Sequence, residues 1–181
     1  GADGGAAPEA RAGGDQDLVG VADKAGHLHA LDRETGDLVW ETPLTPGSSF
    51  GGVNGSSAFV DGMLIVSSNV GDPATNAPLN TVTVSALDAA SGEVLWDTDY
   101  DGMVFAPVST VPGVAFVATT DGLLLALDSA TGEELWRHEA PNSVGAGPSI
   151  VDGNVLWGYG YALFAGPGEG GLISFTTDGA P

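Results

Sequence analysis

Short apolar runs and two-residue turn signals alternate along the chain, and this pattern predicts β-strands joined by tight turns. The segment 106–139 shows it most clearly, since it divides into APVST, VAFVATT, LLLALD and EELWRHE. Pro112-Gly113 separates the first two runs and Asp121-Gly122 separates the next two. Both dipeptides favour hairpins. The segment is therefore predicted to form four antiparallel strands, named A to D in chain order.

An internal repeat extends this unit over the whole chain. Three segments share the order Ala-Leu-Asp, three residues, Gly, three residues, Trp, and they are LHALDRETGDLVW at 28–40, VSALDAASGEVLW at 84–96 and LLALDSATGEELW at 124–136. Their tryptophans are separated by 56 and then 40 residues. A period near 40 residues with four short strands is typical of a β-propeller.

Each repeated residue has a predicted structural role. Gly132 is expected to supply the positive φ that the turn between strands C and D needs. Asp128 and Thr131 are expected to accept hydrogen bonds from amides of the same turn. The three tryptophans are interpreted as packing residues that close the seams between neighbouring blades, and we expect them to be largely buried at equivalent positions: Trp40, Trp96 and Trp136.

The predicted fold class is all-β, a partial β-propeller of about four four-stranded antiparallel blades that is incomplete at both ends. Residues 1–16 are rich in Gly, Ala and Asp and are expected to form a loop or flexible segment without a clear strand A. The last blade stops before a strand D, and a missing N-terminal half is the simplest explanation of both open ends. The predicted blades are 17–42, 56–98, 106–138 and 147–176, within a repeat domain spanning 17–181.

The long loops predict which face of the propeller carries a site. The D-to-A and B-to-C connections emerge on one face, called here the first face, and the A-to-B and C-to-D turns on the second. The long connections 43–55, 69–80 and 159–170 all belong to the first face, where we also expect a half-open, partly apolar cavity near the axis. Binding sites often lie on such loops, so they point to a site on this face, with solvent-exposed insertion as the alternative.

Two polar residues of the first face are candidate ligand contacts. Lys24, in the turn 23–26, is the only lysine of the chain and is either a cofactor anchor or a solvated turn residue. Asn54 lies between glycines in 51–55, where Asn is often a turn former. No catalytic residue and no metal ligand can be assigned from the residues. His27 and His29 share one side of a strand, but no third ligand is evident.

Composition excludes several classes of function. Twenty-four acidic and four basic residues give a formal charge of −20, which repels nucleic-acid phosphates and anionic membrane surfaces. The acidic balance indicates either a salty or extracytoplasmic setting or simply a well-solvated surface. No apolar run reaches the length of a membrane-spanning helix. Cysteine is absent, so the chain has no disulfide and no covalent c-type haem site.

The repeat resembles the pyrroloquinoline-quinone-type (PQQ-type) propeller repeat over residues 18–176. Two stretches, 17–52 and 142–175, are similar to a narrower group, the polyvinyl-alcohol-dehydrogenase-like quinoproteins. Lys24-Ala25-Gly26 before Leu31-Asp32-Arg33 matches the motif whose lysine, in quinoprotein alcohol dehydrogenases, lies against the quinone oxygens. Gly51-Gly52-Val53-Asn54 matches four positions of a Gly-Gly-x-Asn-Trp segment that supplies an Asn to the cofactor, and Gly55 replaces its Trp.

The resemblance implies the C-terminal half of a PQQ-dependent alcohol dehydrogenase, with Lys24 and Asn54 as cofactor-binding residues. It implies PQQ and calcium in the intact parent, a small or polymeric alcohol substrate, a redox partner such as a cytochrome c, and export to the periplasm or beyond. The catalytic Asp and the calcium ligands of that family have no counterpart here, so the chain alone is expected to be inactive. The alternative is a non-catalytic propeller that serves as a protein-binding or outer-membrane assembly scaffold.

Overall fold

The structure, a computed structural model, describes residues 10–11, 17–161 and 169–176. Every regular element in this part of the chain is a β-strand, and fifteen strands form four sheets in which all neighbouring strands are antiparallel. The predicted all-β partial propeller of four blades is confirmed. Within the described residues, no helix is long and apolar enough to span a membrane.

The four sheets are the blades, and each follows the chain from its first to its last strand. Blade 1 contains β1 (Ala10–Arg11), β2 (Asp17–Ala22), β3 (His27–Asp32) and β4 (Leu38–Pro43). Blade 2 contains β5 (Ala58–Val60), β6 (Met63–Gly71), β7 (Pro78–Asp88) and β8 (Val94–Asp101). Blade 3 contains β9 (Ser109–Val111), β10 (Val114–Ala118), β11 (Leu123–Asp128) and β12 (Glu134–Glu139). Blade 4 contains β13 (Ser149–Val151), β14 (Asn154–Tyr159) and β15 (Gly171–Phe175).

Neighbouring blades meet along their first strands. β5 and β9 contact one another, and Thr110 Oγ1 donates a hydrogen bond to Phe59 O at 3.4 Å. Ser109 Oγ likewise donates to Pro148 O, just before β13, at 3.1 Å. The first strands therefore form the inner edge of the arc, and the fourth strands, whose side chains alternate between exposed and half-buried, form its outer edge.

The core lies between the blades on the middle strands. The larger cluster joins blades 2, 3 and 4 and includes the fully buried Val82, Val84, Leu124 and Leu125. A smaller cluster joins blades 1 and 2. Since a sheet between two neighbours is covered on both faces, β7 and β11 are buried over consecutive residues rather than at alternate ones.

Two segments differ from the sequence prediction. Ala10–Arg11 pairs with Leu18 and Asp17, so blade 1 has a short strand A where a loop was expected. The segment 69–80 is not a long irregular loop, because β6 and β7 extend into it as far as the pair Gly71 and Pro78. Residues 1–9 and 12–16 lie outside the described residues, as do residues 162–168 of the third long loop.

The repeated tryptophans dock onto the following blade. Trp40 Nε1 donates to Ala89 O at 3.3 Å, and Trp96 Nε1 donates to Ser129 O at 3.0 Å. Their rings cover the next glycine of the repeat, since a Cβ at Gly92 would lie 2.5 Å from the Trp40 ring. The expectation of large burial is wrong: all three repeated tryptophans are half-buried, because strand D is the outer strand and leaves one side of each ring open to solvent.

The turns between strands C and D have the predicted chemistry. Asp128 Oδ1 accepts hydrogen bonds from Ala130 N and Thr131 N, both at 2.9 Å, and Gly132 has φ +74°. Asp32 and Asp88 accept the equivalent amide pairs in blades 1 and 2. After each turn the register shifts by one residue, so the residue before the tryptophan is a bulge residue in all three blades.

Candidate functional site

The first face carries a cluster of three connected segments, called here the loop patch: the turn 23–26, the loop 47–54 and the hairpin end 69–76. Gly52 N donates to Asn69 O at 2.8 Å, and Asn69 N returns the bond to Gly52 O at 2.9 Å. Val53 N donates to Asp23 O at 3.1 Å. The structure therefore brings Lys24 and Asn54 into one patch together with the first part of the 69–80 segment.

Lys24 is exposed, and its ammonium is held by the loop opposite. Nζ donates to Ser49 O at 2.9 Å, which leaves two of its three N–H groups for other acceptors. Within the described part of the chain, no carboxylate lies within ion-pair distance of Nζ. By contrast, Arg33 pairs with Asp17 and Arg137 pairs with Glu134. Lys24 is thus a positioned, unneutralised cation in a strongly acidic chain, which suits it to an anionic or quinone oxygen.

The backbone around Lys24 is packed against glycines of the loop patch. A Cβ at Gly47 would lie 2.5 Å from Lys24 O, and a Cβ at Gly52, where φ is +75°, would lie 2.4 Å from the same atom. Any side chain at these two positions would push the lysine turn away from the loop. The glycines therefore fix the position of Lys24 by permitting close backbone approach.

Asn54 is half-buried and its amide serves its own loop. Nδ2 donates to Phe50 O at 3.2 Å and to Gly52 O at 3.4 Å. The Asn54 amide can therefore donate to a cofactor only if it shares its N–H groups with these two carbonyls or breaks its hydrogen bonds to them. The next residue, Gly55, leaves no room for the tryptophan of the resembling segment, because a Cβ there would lie 2.3 Å from Ala106 O.

Asn69 is a residue of the patch that the sequence analysis did not single out. Its side chain is buried and forms a closed pair with one residue of the following loop: Nδ2 donates to Val104 O at 2.9 Å and Oδ1 accepts from Val104 N at 2.7 Å. The only available signal was an Asn at the start of an insertion. An Asn at such a position favours a local turn, whereas the hydrogen-bond partner of Asn69 is Val104, which lies 35 residues further along the chain.

A series of polar contacts joins the two histidines of β3 to Glu41 of β4 and to Asp23, the residue before Lys24. His27 Nδ1 lies 2.8 Å from Glu41 Oε1, and His29 Nε2 lies 3.3 Å from Asp23 Oδ2. Asp23 Oδ1 also accepts from His27 N at 3.0 Å. Partial burial raises the pKa of Asp23, but the hydrogen bond from His27 N and the imidazole of His29 lower it by more, so that pKa lies below its ordinary value.

The lowered pKa of Asp23 predicts a pH-dependent contribution to stability. A carboxyl whose pKa is lower in the folded state stabilises the fold above its unfolded pKa, and loses this effect as the pH falls through the folded value. Asp23→Asn should therefore be less stable than the parent at pH 7, by less than about 1 kcal/mol because solvent screens the group, and the difference should shrink below about pH 4. Urea titrations from pH 7 to 3 test this. The same substitution at the exposed Asp97 is the control, and an equal pH dependence there would contradict the assignment.

Two further expectations from the sequence concern a metal site and a cavity. Within the described residues, no group of three or more His, Asp or Glu side chains is arranged so that it could hold a metal ion. A cavity of about 630 Å³ lined by described residues lies between blades 3 and 4 and reaches the A-to-B turn at Gly153. This cavity therefore lies toward the second face, and the cavity expected near the first-face axis stays a prediction.

The repeated blades, the docked tryptophans and the aspartate-capped C-to-D turns define a PQQ-type β-propeller repeat protein. A family model described as "Outer membrane protein assembly factor BamB" matches residues 3–97 and 80–180. The chain therefore belongs to this repeat family, PQQ_2. The match agrees with the fold and covers nearly all of the sequence.

Two curated relatives and one solved structure give the range of proteins that share this repeat. The polyvinylalcohol dehydrogenase of Sphingopyxis sp. (strain 113P3) is 32% identical over 189 aligned positions, covering 87% of this chain and 29% of that protein. The outer membrane protein assembly factor BamB of Yersinia pestis is 31% identical over 108 residues, covering 60% of this chain and 26% of that protein. The quinohemoprotein alcohol dehydrogenase of Comamonas testosteroni matches 96% of this chain and 38% of its own, with TM-score 0.72 and 17% identity, which shows the fold. The chain thus spans less than a third of either curated relative.

Proposed function

We propose that this chain is a section of the cofactor-binding propeller of a PQQ-dependent alcohol dehydrogenase. The observation that carries the proposal is Lys24, an unneutralised ammonium fixed by Ser49 O and by close-packed glycines on the face with the long loops. The polyvinylalcohol dehydrogenase aligns with 87% of the chain, whereas the BamB protein aligns with 60%. This difference in coverage favours the dehydrogenase function.

In this proposal Lys24 is the principal contact of the chain with PQQ. Its two remaining N–H groups would donate to quinone oxygens, and its charge would stabilise the negative charge that they gain on reduction. When bound, PQQ supplies the two-electron acceptor for alcohol oxidation. Asn54 is the secondary contact, since its amide has to share hydrogen bonds with Phe50 O and Gly52 O.

The wider setting follows from the same proposal. The substrate would be a small or polymeric alcohol, the electrons would pass to a redox partner such as a cytochrome c, and the protein would be exported to the periplasm or beyond. The general base and any calcium ion would be provided by residues outside this section. Since the chain spans 29% of the dehydrogenase, these are properties of a parent protein.

The first test measures PQQ binding to the chain. Lys24→Ala should weaken PQQ affinity about tenfold, because a charge-assisted hydrogen bond contributes roughly 1.5 kcal/mol or more. Lys24→Arg keeps the charge and should retain part of the affinity. Isothermal titration at fixed ionic strength gives the dissociation constants, and circular dichroism checks the fold. Equal affinity of the parent and Lys24→Ala would contradict the proposal.

The second test concerns activity. The isolated chain, supplied with PQQ and calcium, should give no dye-linked oxidation of alcohols, because no group of side chains among its described residues could hold a metal ion. The assay should include a full-length quinoprotein dehydrogenase as the positive control. Turnover by the chain alone would show that the missing groups are present and would overturn the view that the section is incomplete.

The alternative function is a non-catalytic scaffold for outer-membrane protein assembly. It is favoured by the description of the family model and by the 31% identity to the Yersinia pestis protein. A scaffold has no need of a PQQ contact, so it predicts no measurable PQQ binding and no effect of Lys24→Ala. The titration described above therefore separates the two functions.

A further inference from the structure

Asn54-Gly55 is the only Asn-Gly dipeptide of the chain, and its asparagine ends the loop 47–54 of the loop patch. In such a dipeptide the backbone nitrogen of the glycine can attack the side-chain carbonyl carbon of the asparagine. Glycine permits this because it has no side chain to hinder the approach and because its backbone is conformationally permissive. Every other asparagine precedes a residue with a side chain, and these residues are Val70, Ala77, Thr81, Ser143 and Val155.

The fold leaves both reacting groups of this dipeptide available. Asn54 and Gly55 are each only half-buried, so water reaches them. Among the described residues, no acceptor takes a hydrogen bond from Gly55 N. Asn142 is half-buried as well, but there the next amide, Ser143 N, donates to Asn142 Oδ1 at 2.8 Å. This bond holds the proton that must leave the nitrogen before it can attack, so Asn142 is the less reactive of the two.

The packing of the loop requires the glycine and does not shield the asparagine. A Cβ at Gly55 would lie 2.3 Å from Ala106 O, so a residue with a side chain fits there only if the backbone moves. Both hydrogen bonds of the Asn54 side chain are made by Nδ2, the nitrogen that leaves in the reaction. At 3.2 Å to Phe50 O and 3.4 Å to Gly52 O, they are longer than the usual value of about 2.9–3.0 Å.

We propose that Asn54 is a site of spontaneous deamidation whose product loosens the loop patch. Gly55 N forms a bond to Asn54 Cγ, the Cγ–Nδ2 bond breaks, and ammonia leaves with the proton from Gly55 N, which gives a succinimide ring. Water then opens the ring. Cleavage of the new bond between Cγ and N gives aspartate, and cleavage of the bond between N and the backbone carbonyl carbon of Asn54 gives isoaspartate. Water is the only other reactant, and the inference does not depend on the proposed PQQ chemistry.

Both products replace an amide donor by a carboxylate. A carboxylate accepts hydrogen bonds but cannot donate them, so it would repel Phe50 O and Gly52 O where the Asn54 amide bonds to them. Isoaspartate also lengthens the main chain by one carbon directly before Gly55, where the close contact with Ala106 O leaves no room. The loop therefore has to move away from its present position after the reaction.

Two backbone hydrogen bonds report this movement. Gly52 N donates to Asn69 O at 2.8 Å, and Val53 N donates to Asp23 O at 3.1 Å. The second bond joins the loop to the turn that carries Lys24. Loss of protection of these two amides from hydrogen exchange would therefore show that the loop has separated from the lysine turn.

Peptide mapping by mass spectrometry measures the reaction in the folded chain, with Asn142 as the internal control. The chain is kept at constant temperature and mildly alkaline pH, and isoaspartyl methyltransferase identifies the isoaspartate. We expect conversion at Asn54 about tenfold or more faster than at Asn142, which corresponds to an activation free energy lower by about 1.4 kcal/mol. Since attack requires loss of the proton from Gly55 N, the rate should rise with hydroxide concentration.

One peptide and three variants complete the experiment. The peptide GGVNGSSAFV, residues 51–60, gives the rate without the fold. Asn54→Gln keeps the amide but would have to form a larger ring, so it should stop the conversion. Asn54→Asp provides the aspartate product in pure form and should lose protection at Gly52 N and Val53 N. Asn154→Asp makes the same charge change at a side chain that bonds to Asp152 O in blade 4, and protection of the two loop amides should stay unchanged.

Either of two results overturns the proposal. Conversion at Asn54 that is no faster than at Asn142, or more than about tenfold slower than in the peptide, would show that the fold suppresses the reaction. Unchanged protection of Gly52 N and Val53 N in Asn54→Asp would show that the loop patch tolerates the product, so that deamidation would not affect the lysine turn.

Discussion

Gly132→Ala is expected to lower the free energy of unfolding by about 3 kcal/mol, while Gly36→Ala lowers it by only about 1 kcal/mol. The two glycines occupy the same position of the C-to-D turn, with φ of +74° and +75°. The left-handed conformation penalises an alanine at either site by about 1 kcal/mol. The sites differ in what the added methyl group meets.

A Cβ at Gly36 meets nothing within 4 Å, whereas a Cβ at Gly132 would lie 2.6 Å from the Trp96 ring. The ring has little freedom to move, since its Nε1 is bonded to Ser129 O of the same turn. Overpacking of this kind costs about 1 to 3 kcal/mol in addition to the backbone strain. The difference between the two variants therefore measures the cost of crowding the docked Trp96 ring.

Chemical denaturation monitored by tryptophan fluorescence and by circular dichroism measures both variants. Gly132→Ala should also shift the emission of Trp96 to longer wavelength, because the ring is displaced toward solvent. Equal losses of unfolding free energy for Gly132→Ala and Gly36→Ala would mean that the Trp96 ring moves aside without an energetic cost. In that case the docking of the tryptophan would contribute little to the stability of the junction between blades 2 and 3.

The blade architecture could be predicted from the sequence because its determinants are local. The hairpin dipeptides, the turn aspartates and the glycine with positive φ act within a few residues of one another, and the repeat shows the turn aspartate and the glycine three times. The relative position of Trp40, Trp96 and Trp136 follows from the same spacing. Their degree of burial does not, since it depends on how much of the outer strand the next blade covers.

The loop patch could be predicted only in part. The strand order placed Lys24 and Asn54 on one face, but it could not show that Ser49 O holds Lys24 or that Asn54 bonds to its own loop. The sequence of 69–80 contains Gly, Asp, Pro and Asn, which favour a loop. In the structure only the short turn between Gly71 and Pro78 uses these residues, where Asp72 Oδ1 accepts from Ala74 N at 2.8 Å.

Asn69→Ala is expected to lower the free energy of unfolding by about 3 kcal/mol or more. The side chain is 1% exposed and satisfies both backbone groups of Val104, itself buried. Alanine would leave a buried N–H and a buried C=O without partners, and each such group costs about 1 to 3 kcal/mol. It would also release the 102–108 loop from the blade 2 hairpin that supports the loop patch.

The control for Asn69 is Asn54→Ala, since Asn54 also bonds to backbone carbonyls but at a partly exposed position, at 3.2 and 3.4 Å. Water can replace those bonds, so this variant should lose less than about 1 kcal/mol. Urea denaturation gives both values, and hydrogen exchange gives a second readout, because protection of the Val104 amide should fall in Asn69→Ala alone. Unchanged protection there would show that another group takes over the pairing, and the support of the loop patch would then not depend on Asn69.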